Sequence, residues 1–121
     1  MKQIFTLKEW EKVLEESKLA PLVVYKHSIT CGSCRPSFRE MQEAVSYGEI
    51  VQPIYYVIVQ ESRELSDRIA DDLGLEHQTP QAIVVLNKRA CYAVDEDISA
   101  ADIAAKIEMI SEAHKELFSE E

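Results

Sequence analysis

The sequence contains no apolar run approaching the length of a membrane span, no low-complexity tract, no internal repeat, no second Cys-x-x-Cys and no basic stripe. Each absence removes a class of function. A helix crossing a bilayer needs about 20 consecutive apolar residues, so none is expected here. Lysine and arginine total 13 against 22 aspartates and glutamates, a formal charge of -9. That excess repels phosphate backbones and anionic membrane surfaces, and no platform of interleaved aromatics offsets it. Nucleic acid and membrane are therefore excluded as expected partners. The opening residues Met-Lys-Gln-Ile-Phe-Thr-Leu-Lys-Glu-Trp carry charges before any signal-peptide apolar region can form, which predicts a cytoplasmic location. In that reducing compartment three cysteines are chemical or incidental rather than a disulfide framework. A chain of 121 residues, 46% hydrophobic, can bury a core without such staples, so one domain is expected over residues 1–121.

What is present reads as alternating helices and strands. Thr6 with Glu9 suggests a capping box, and Trp10, Val13, Leu14 and Ser17 then share one helical face up to Pro21. Leu22-Val23-Val24-Tyr25 is a short β-branched run expected to be a strand buried on both faces, followed by the polar Lys26-His27-Ser28. From about Ser33 to Tyr47, Phe38, Met41 and Val45 repeat at helical spacing, and Pro36 falls in the first turn, where its missing N–H costs nothing. Gly48 stops that helix, and Ile54 to Val59 supplies a second parallel strand. Ser62 caps a helix with the stripe Leu65, Ile69 and Leu73, ended by Gly74. Gln81 to Leu86 and Ala90 to Val94 form a hairpin about Asn87-Lys88. Ser99 with Asp102 resembles a capping box for a last helix whose buried stripe is Ile103, Ile107, Ile110 and Leu117. The acidic tail reads as a solvated end.

This order is that of the thioredoxin fold: a four-stranded mixed sheet flanked by helices, with an extra N-terminal helix. Two of the fold's chemical marks are in place, Cys31-Gly32-Ser33-Cys34 after the first strand and Thr79-Pro80 before the third. A thiol attacks as thiolate, and the free N–H donors and partial positive charge of a helix amino terminus lower its pKa. Cys31 has that placement and is the expected nucleophile. Cys34, one turn inside, is the expected resolving thiol, more buried and less acidic. Gly32 and Ser33 are small and leave room for a partner's disulfide. Thr79-Pro80, if cis, turns the Thr79 backbone toward the site as a strand-like docking edge; a trans proline at a strand start is the plainer alternative.

Other readings of these residues compete. Two thiolates at this spacing form half of a zinc site, which Cys91, His27 or His77 would have to complete, but a pair opening a helix after a buried strand is a redox context. Two unreactive cysteines in a helix cap are the blander option. Cys91, next to Tyr92 in an expected strand, reads as a small hydrophobe in the core. His27 is either a proton shuttle near Cys31 or a solvated loop histidine. Lys26 is either an attractor of thiolate or anionic substrate, or an ordinary exposed lysine at a strand end. His77 and His114 have no visible constellation.

With Tyr25-Lys26-His27-Ser28 running into Thr30-Cys31, the leading Phe-Thr-Leu-Lys-Glu-Trp segment and the Gln78-Thr79-Pro80-Gln81 turn, the chain resembles the monothiol bacilliredoxins over nearly its full length. The resemblance implies an enzyme that takes bacillithiol from S-thiolated cytosolic proteins onto Cys31, with the low-molecular-weight thiol as cosubstrate and no bound cofactor. Family members generally carry serine where Cys34 stands, so internal resolution by Cys34 is a departure. Compared with thioredoxins, the Trp before the first cysteine and the Pro between the two are missing, and Tyr25 replaces a buried acid. Compared with glutaredoxins, the glycine pair and the following Cys-Asp-Asp are missing, with Asp95 and Asp97 only a faint echo. The alternatives are a general dithiol disulfide reductase and a non-catalytic binding module. A monomer is the simplest expectation for a protein that must admit other proteins to an exposed sulfur.

Overall fold

Leu22–His27, strand β2, is the central strand because its side chains are apolar on both faces and can be covered from both sides. In the computed structural model, which describes residues 1–119, β2 pairs in parallel with β3 (Ile54–Ile58) and antiparallel with β4 (Gln81–Leu86). The edge on one side is β5 (Arg89–Asp95), paired antiparallel with β4; on the other it is β1 (Lys2–Gln3), paired in parallel with β3. Among the described residues the sheet thus has five strands in the order β1-β3-β2-β4-β5, one more than the sequence suggests. The extra strand is two residues long, too short for any alternation to be read. It is fixed by the Ile4 N–H donating to the Tyr56 carbonyl at 2.9 Å and by burial of the Ile4 side chain.

Helices α1 (Leu7–Glu16) and α3 (Arg63–Leu73) cover one face, burying Trp10, Val13, Leu65 and Ile69 against Val24, Val57 and Ile83. Helices α2 (Cys34–Ser46) and α4 (Ala100–Ser119) cover the other, burying Met41, Ala44, Ile103 and Ile107 against Val23, Tyr25 and Val84. The capping box of α1 forms as expected, with Thr6 Oγ1 accepting from the Glu9 N–H at 3.1 Å and Glu9 accepting from the Thr6 N–H at 3.1 Å; such caps contribute about 1 kcal/mol. Gly74 ends α3 in the left-handed conformation, and Asn87 and Lys88 make the tight turn with φ of 53° and 64°, the mirror-image turn that suits strand twist. Ser62 precedes α3 without a side-chain hydrogen bond. Ser99 Oγ accepts from the Asp102 N–H at 3.2 Å, while the Ala100 N–H is capped across the fold by Glu40 at 2.6 Å.

Three expected burials differ. On α2 the inward face runs through Cys34, Ser37, Met41 and Ala44, leaving Val45 at the surface, because the helix opens at Cys34 and that residue sets the phase. Leu117 is exposed because α4 outruns the sheet that covers its first half. Cys91 is exposed on β5, the strand at the sheet edge with one side facing solvent, so it is not a core residue. The acidic end, Glu120 and Glu121, lies outside the described residues.

Candidate functional site

The polypeptide leaves β2 at His27 and enters α2 at Cys34, and the connecting loop is pinned by a residue that the sequence does not advertise. Gln60, just after β3, donates to Ser28 Oγ at 2.7 Å and Thr30 Oγ1 at 3.3 Å, and accepts from the Ile29 N–H at 3.1 Å. Ser28 and Thr30 hydroxyls lie 3.1 Å apart. The parallel pairing of β2 with β3 brings Gln60 beside the loop; only that pairing, not any local motif, identifies it. Thr30 therefore serves this network.

Cys31 is half-buried at the mouth of α2, and Cys34 is fully buried as the first residue of that helix. The Cys34 N–H donates to the Cys31 carbonyl at 3.3 Å, which folds the run into a turn. Cys31 Sγ lies 3.3 Å from Ser33 Oγ and 3.7 Å from the Thr79 carbonyl oxygen. Hydrogen bonds from Cys34 and Ser33 hold the Cys31 pKa below the usual thiol range, since each stabilises the thiolate. Burial, reinforced by the hydrogen bond to Cys31, pushes Cys34 up to about 11. One sulfur is thus accessible and shifted toward its thiolate form, and its neighbour is a buried thiol able to donate to it. Gly32 and Ser33, the residues between the two cysteines, are exposed, and a side chain at Gly32 would project into open space.

The Thr79–Pro80 peptide is cis, Pro80 is buried, and Thr79 is half-exposed beside Cys31. Beneath the cysteines, the buried Tyr25 hydroxyl donates to the Cys34 carbonyl oxygen at 3.4 Å. Burial and the nearby Cys34 raise its pKa, so it remains a neutral donor rather than a proton acceptor. His27 turns toward α2: its ring lies tilted against that of Phe38, 4.8 Å between centres, and its Nδ1 is buried with no hydrogen-bond partner among the described residues. Burial lowers its pKa. It is neither a solvated loop residue nor hydrogen-bonded to a cysteine.

Lys26 is the largest departure from expectation, for it is wholly buried rather than exposed at a strand end. Strand alternation directs it away from Tyr25, to the α3 side of the sheet, where Nζ donates to His77 Nδ1 at 3.1 Å. Ser66 Oγ is 3.3 Å from the same nitrogen. Burial pulls the Lys26 pKa down to about 8, offset in part by Asp67, and burial together with Lys26 lowers that of His77. A charged group taken out of water costs several kcal/mol unless its donors are satisfied; His77 supplies that satisfaction. The pair ties β2 to the loop that ends in Thr79. His77, isolated in the sequence, is its partner. Among the described residues no three His, Cys, Asp or Glu side chains are grouped to hold a metal ion, and no helix is long and apolar enough to cross a membrane.

Comparison with known proteins agrees with this geometry. The family model described as Monothiol bacilliredoxin BrxC matches residues 2–103. Among solved structures, the chain is similar to one described as a proposed oxidoreductase with a thioredoxin fold, at 29% identity and a TM-score of 0.76, covering 87% of this chain and 91% of that one. It also superposes on the thioredoxin of Fasciola hepatica, at 16% identity and a TM-score of 0.71, covering 90% and 98% of the two chains. The thioredoxin of Aeropyrum pernix gives 17% identity and a TM-score of 0.67, covering 88% and 84%. The last two similarities establish the fold, which is that of thioredoxin.

Proposed function

The chain belongs to the monothiol bacilliredoxin family, and from that premise we propose that it removes bacillithiol from S-thiolated cytosolic proteins, with Cys31 as nucleophile. Family and fold support a thiol redox role; the observation that carries the finer reading is the asymmetry of the two sulfurs, Cys31 accessible with a depressed pKa and Cys34 buried with a raised one.

In the first step the Cys31 thiolate attacks the bacillithiol sulfur of the protein–bacillithiol disulfide. The sulfur–sulfur bond between target and bacillithiol breaks, the target leaves as thiolate and takes a proton from water, and bacillithiol is now joined to Cys31 through a new disulfide. Ser33 and Thr79 flank the attacking sulfur, and the Thr79 backbone, just before β4, is where the target peptide would lie. In the second step Cys34, having lost its proton, attacks Cys31 Sγ, expels bacillithiol as thiolate and closes an intramolecular disulfide. A thiol reductant then returns two electrons. Burial disfavours the Cys34 thiolate and its hydroxyl neighbour Tyr25 is no base, so a free low-molecular-weight thiol can compete with the second step. This supports monothiol-type turnover despite the second cysteine. The charge of -9 supports protein and small-thiol partners over nucleic acid or membrane.

The test offers the reduced enzyme a bacillithiolated carrier protein and, separately, an ordinary protein disulfide. The expected kcat/KM on the bacillithiolated carrier is at least about tenfold higher. Reduction of the ordinary disulfide alone would instead assign a general dithiol reductase, the reading that an intact Cys34 behind Cys31 favours.

A further inference from the structure

A groove of about 600 Å3 opens beside the cysteines, lined by His27, Ile29, Arg35, Phe38, Arg39 and Gln42. Its volume suits a small molecule rather than a length of polypeptide. Ile29 precedes and Arg35 follows the Cys31–Cys34 run, so the groove borders the reactive loop. It is not the Thr79 side of the site: Phe38 packs edge-on against Tyr56 of β3, with ring centres 5.0 Å apart, whereas Thr79 leads into β4 on the opposite flank of β2.

The groove is electropositive on an acidic protein. Arg35 and Arg39 are exposed, one turn apart in the first half of α2, and so project from one helix face. Among the described residues neither has a carboxylate within ion-pair distance. The acids of the adjoining surface are Glu40 and Glu43, and the Glu40 carboxylate is occupied by the Ala100 N–H. The first turn of α2 carries no acidic residue, leaving its positive end unopposed. Phe38 and Ile29 add apolar wall, and His27, whose buried Nδ1 has no hydrogen-bond partner among the described residues, lines the same groove.

We propose that this groove is the subsite for the small-thiol half of the substrate, with Arg35 and Arg39 holding its carboxylates while the protein half lies along Thr79. The inference rests on the function proposed above and adds to it the part of the ligand that is recognised: an anionic, carboxylate-bearing low-molecular-weight thiol. Guanidinium forks match carboxylates two bonds at a time, and two of them a helical turn apart suit a ligand with more than one acidic group. Substrate is thereby gripped on both sides of the disulfide, which holds the scissile bond over Cys31.

The experiment uses one carrier protein bearing either bacillithiol, whose malyl group has two carboxylates, or cysteamine, which has none. In the double variant Arg35→Gln, Arg39→Gln, kcat/KM for the bacillithiol adduct should fall at least about tenfold, mostly through KM, and that for the cysteamine adduct less than about threefold. The wild type's preference for the bacillithiol adduct should shrink as sodium chloride is raised. Equal losses on both adducts would overturn the subsite, since the arginines would then act on the Cys31 sulfur or on folding. Unchanged kinetics on both would overturn it too, while leaving the proposed function standing. Failure of the wild type itself to release bacillithiol would contradict the function rather than the subsite alone.

Discussion

Replacing Cys31 by serine should lower turnover of any disulfide substrate by at least about a thousandfold, with the fold intact. A serine hydroxyl does not ionise near neutral pH and its oxygen is a poor nucleophile toward sulfur, so the first bond is never made. Cys31 is half-buried in a loop, and its side-chain contacts are the weak ones to Ser33, Cys34 and Thr79. No core packing is lost. Thermal unfolding within about 2 °C of the wild type is the accompanying check, and a residual rate above a hundredth of wild type would show another residue attacking.

Cys34→Ser separates the two steps. The serine hydroxyl can still donate toward Cys31, so the nucleophile stays acidic and the first step survives. Removal of bacillithiol, with free thiol supplied, should keep at least about a third of the wild-type rate, whereas reduction of an ordinary protein disulfide should drop at least about a hundredfold. Mass spectrometry should find bacillithiol trapped on Cys31 in the variant and an intramolecular disulfide in the wild type. Cys34→Ala removes the donor as well, so Cys31 should then become less acidic and react more slowly at neutral pH. That contrast distinguishes Cys34 the hydrogen-bond donor from Cys34 the resolving thiol.

Features with local causes were legible in the sequence. Thr6 with Glu9, Gly74, Asn87-Lys88 and the phase of Trp10 and Val13 each follow from neighbours within one or two turns, and each is found in place. The cysteine pair was legible for the same reason: its spacing and its position between a β-branched run and a helix are local facts. What escaped depends on residues distant in the chain. Lys26 reads as polar and therefore exposed, and only the arrival of α3 and the 75–80 loop over β2 buries it against His77 and Ser66. Gln60 needs the β2–β3 pairing before it can meet Ser28 and Thr30. Cys91 reads as apolar and therefore buried, and only strand order reveals that β5 is an edge. The groove of Arg35 and Arg39 is similarly invisible until the fold sets His27 and Ile29, at the end of β2, beside Phe38 of α2.

The central claim is that Cys31 is a stabilised thiolate in an accessible position, and the rate of its alkylation by iodoacetamide as a function of pH, mapped residue by residue by mass spectrometry, tests it most directly. Because the Cys31 pKa is depressed and that of Cys34 raised to about 11, Cys31 should be labelled first, with a rate that rises at lower pH than that of a free peptide thiol measured alongside, and Cys34 should stay unlabelled below about pH 9. A Cys31 profile that coincides with the free thiol's, centred near about pH 8.5, or labelling of Cys34 ahead of it, would contradict the account.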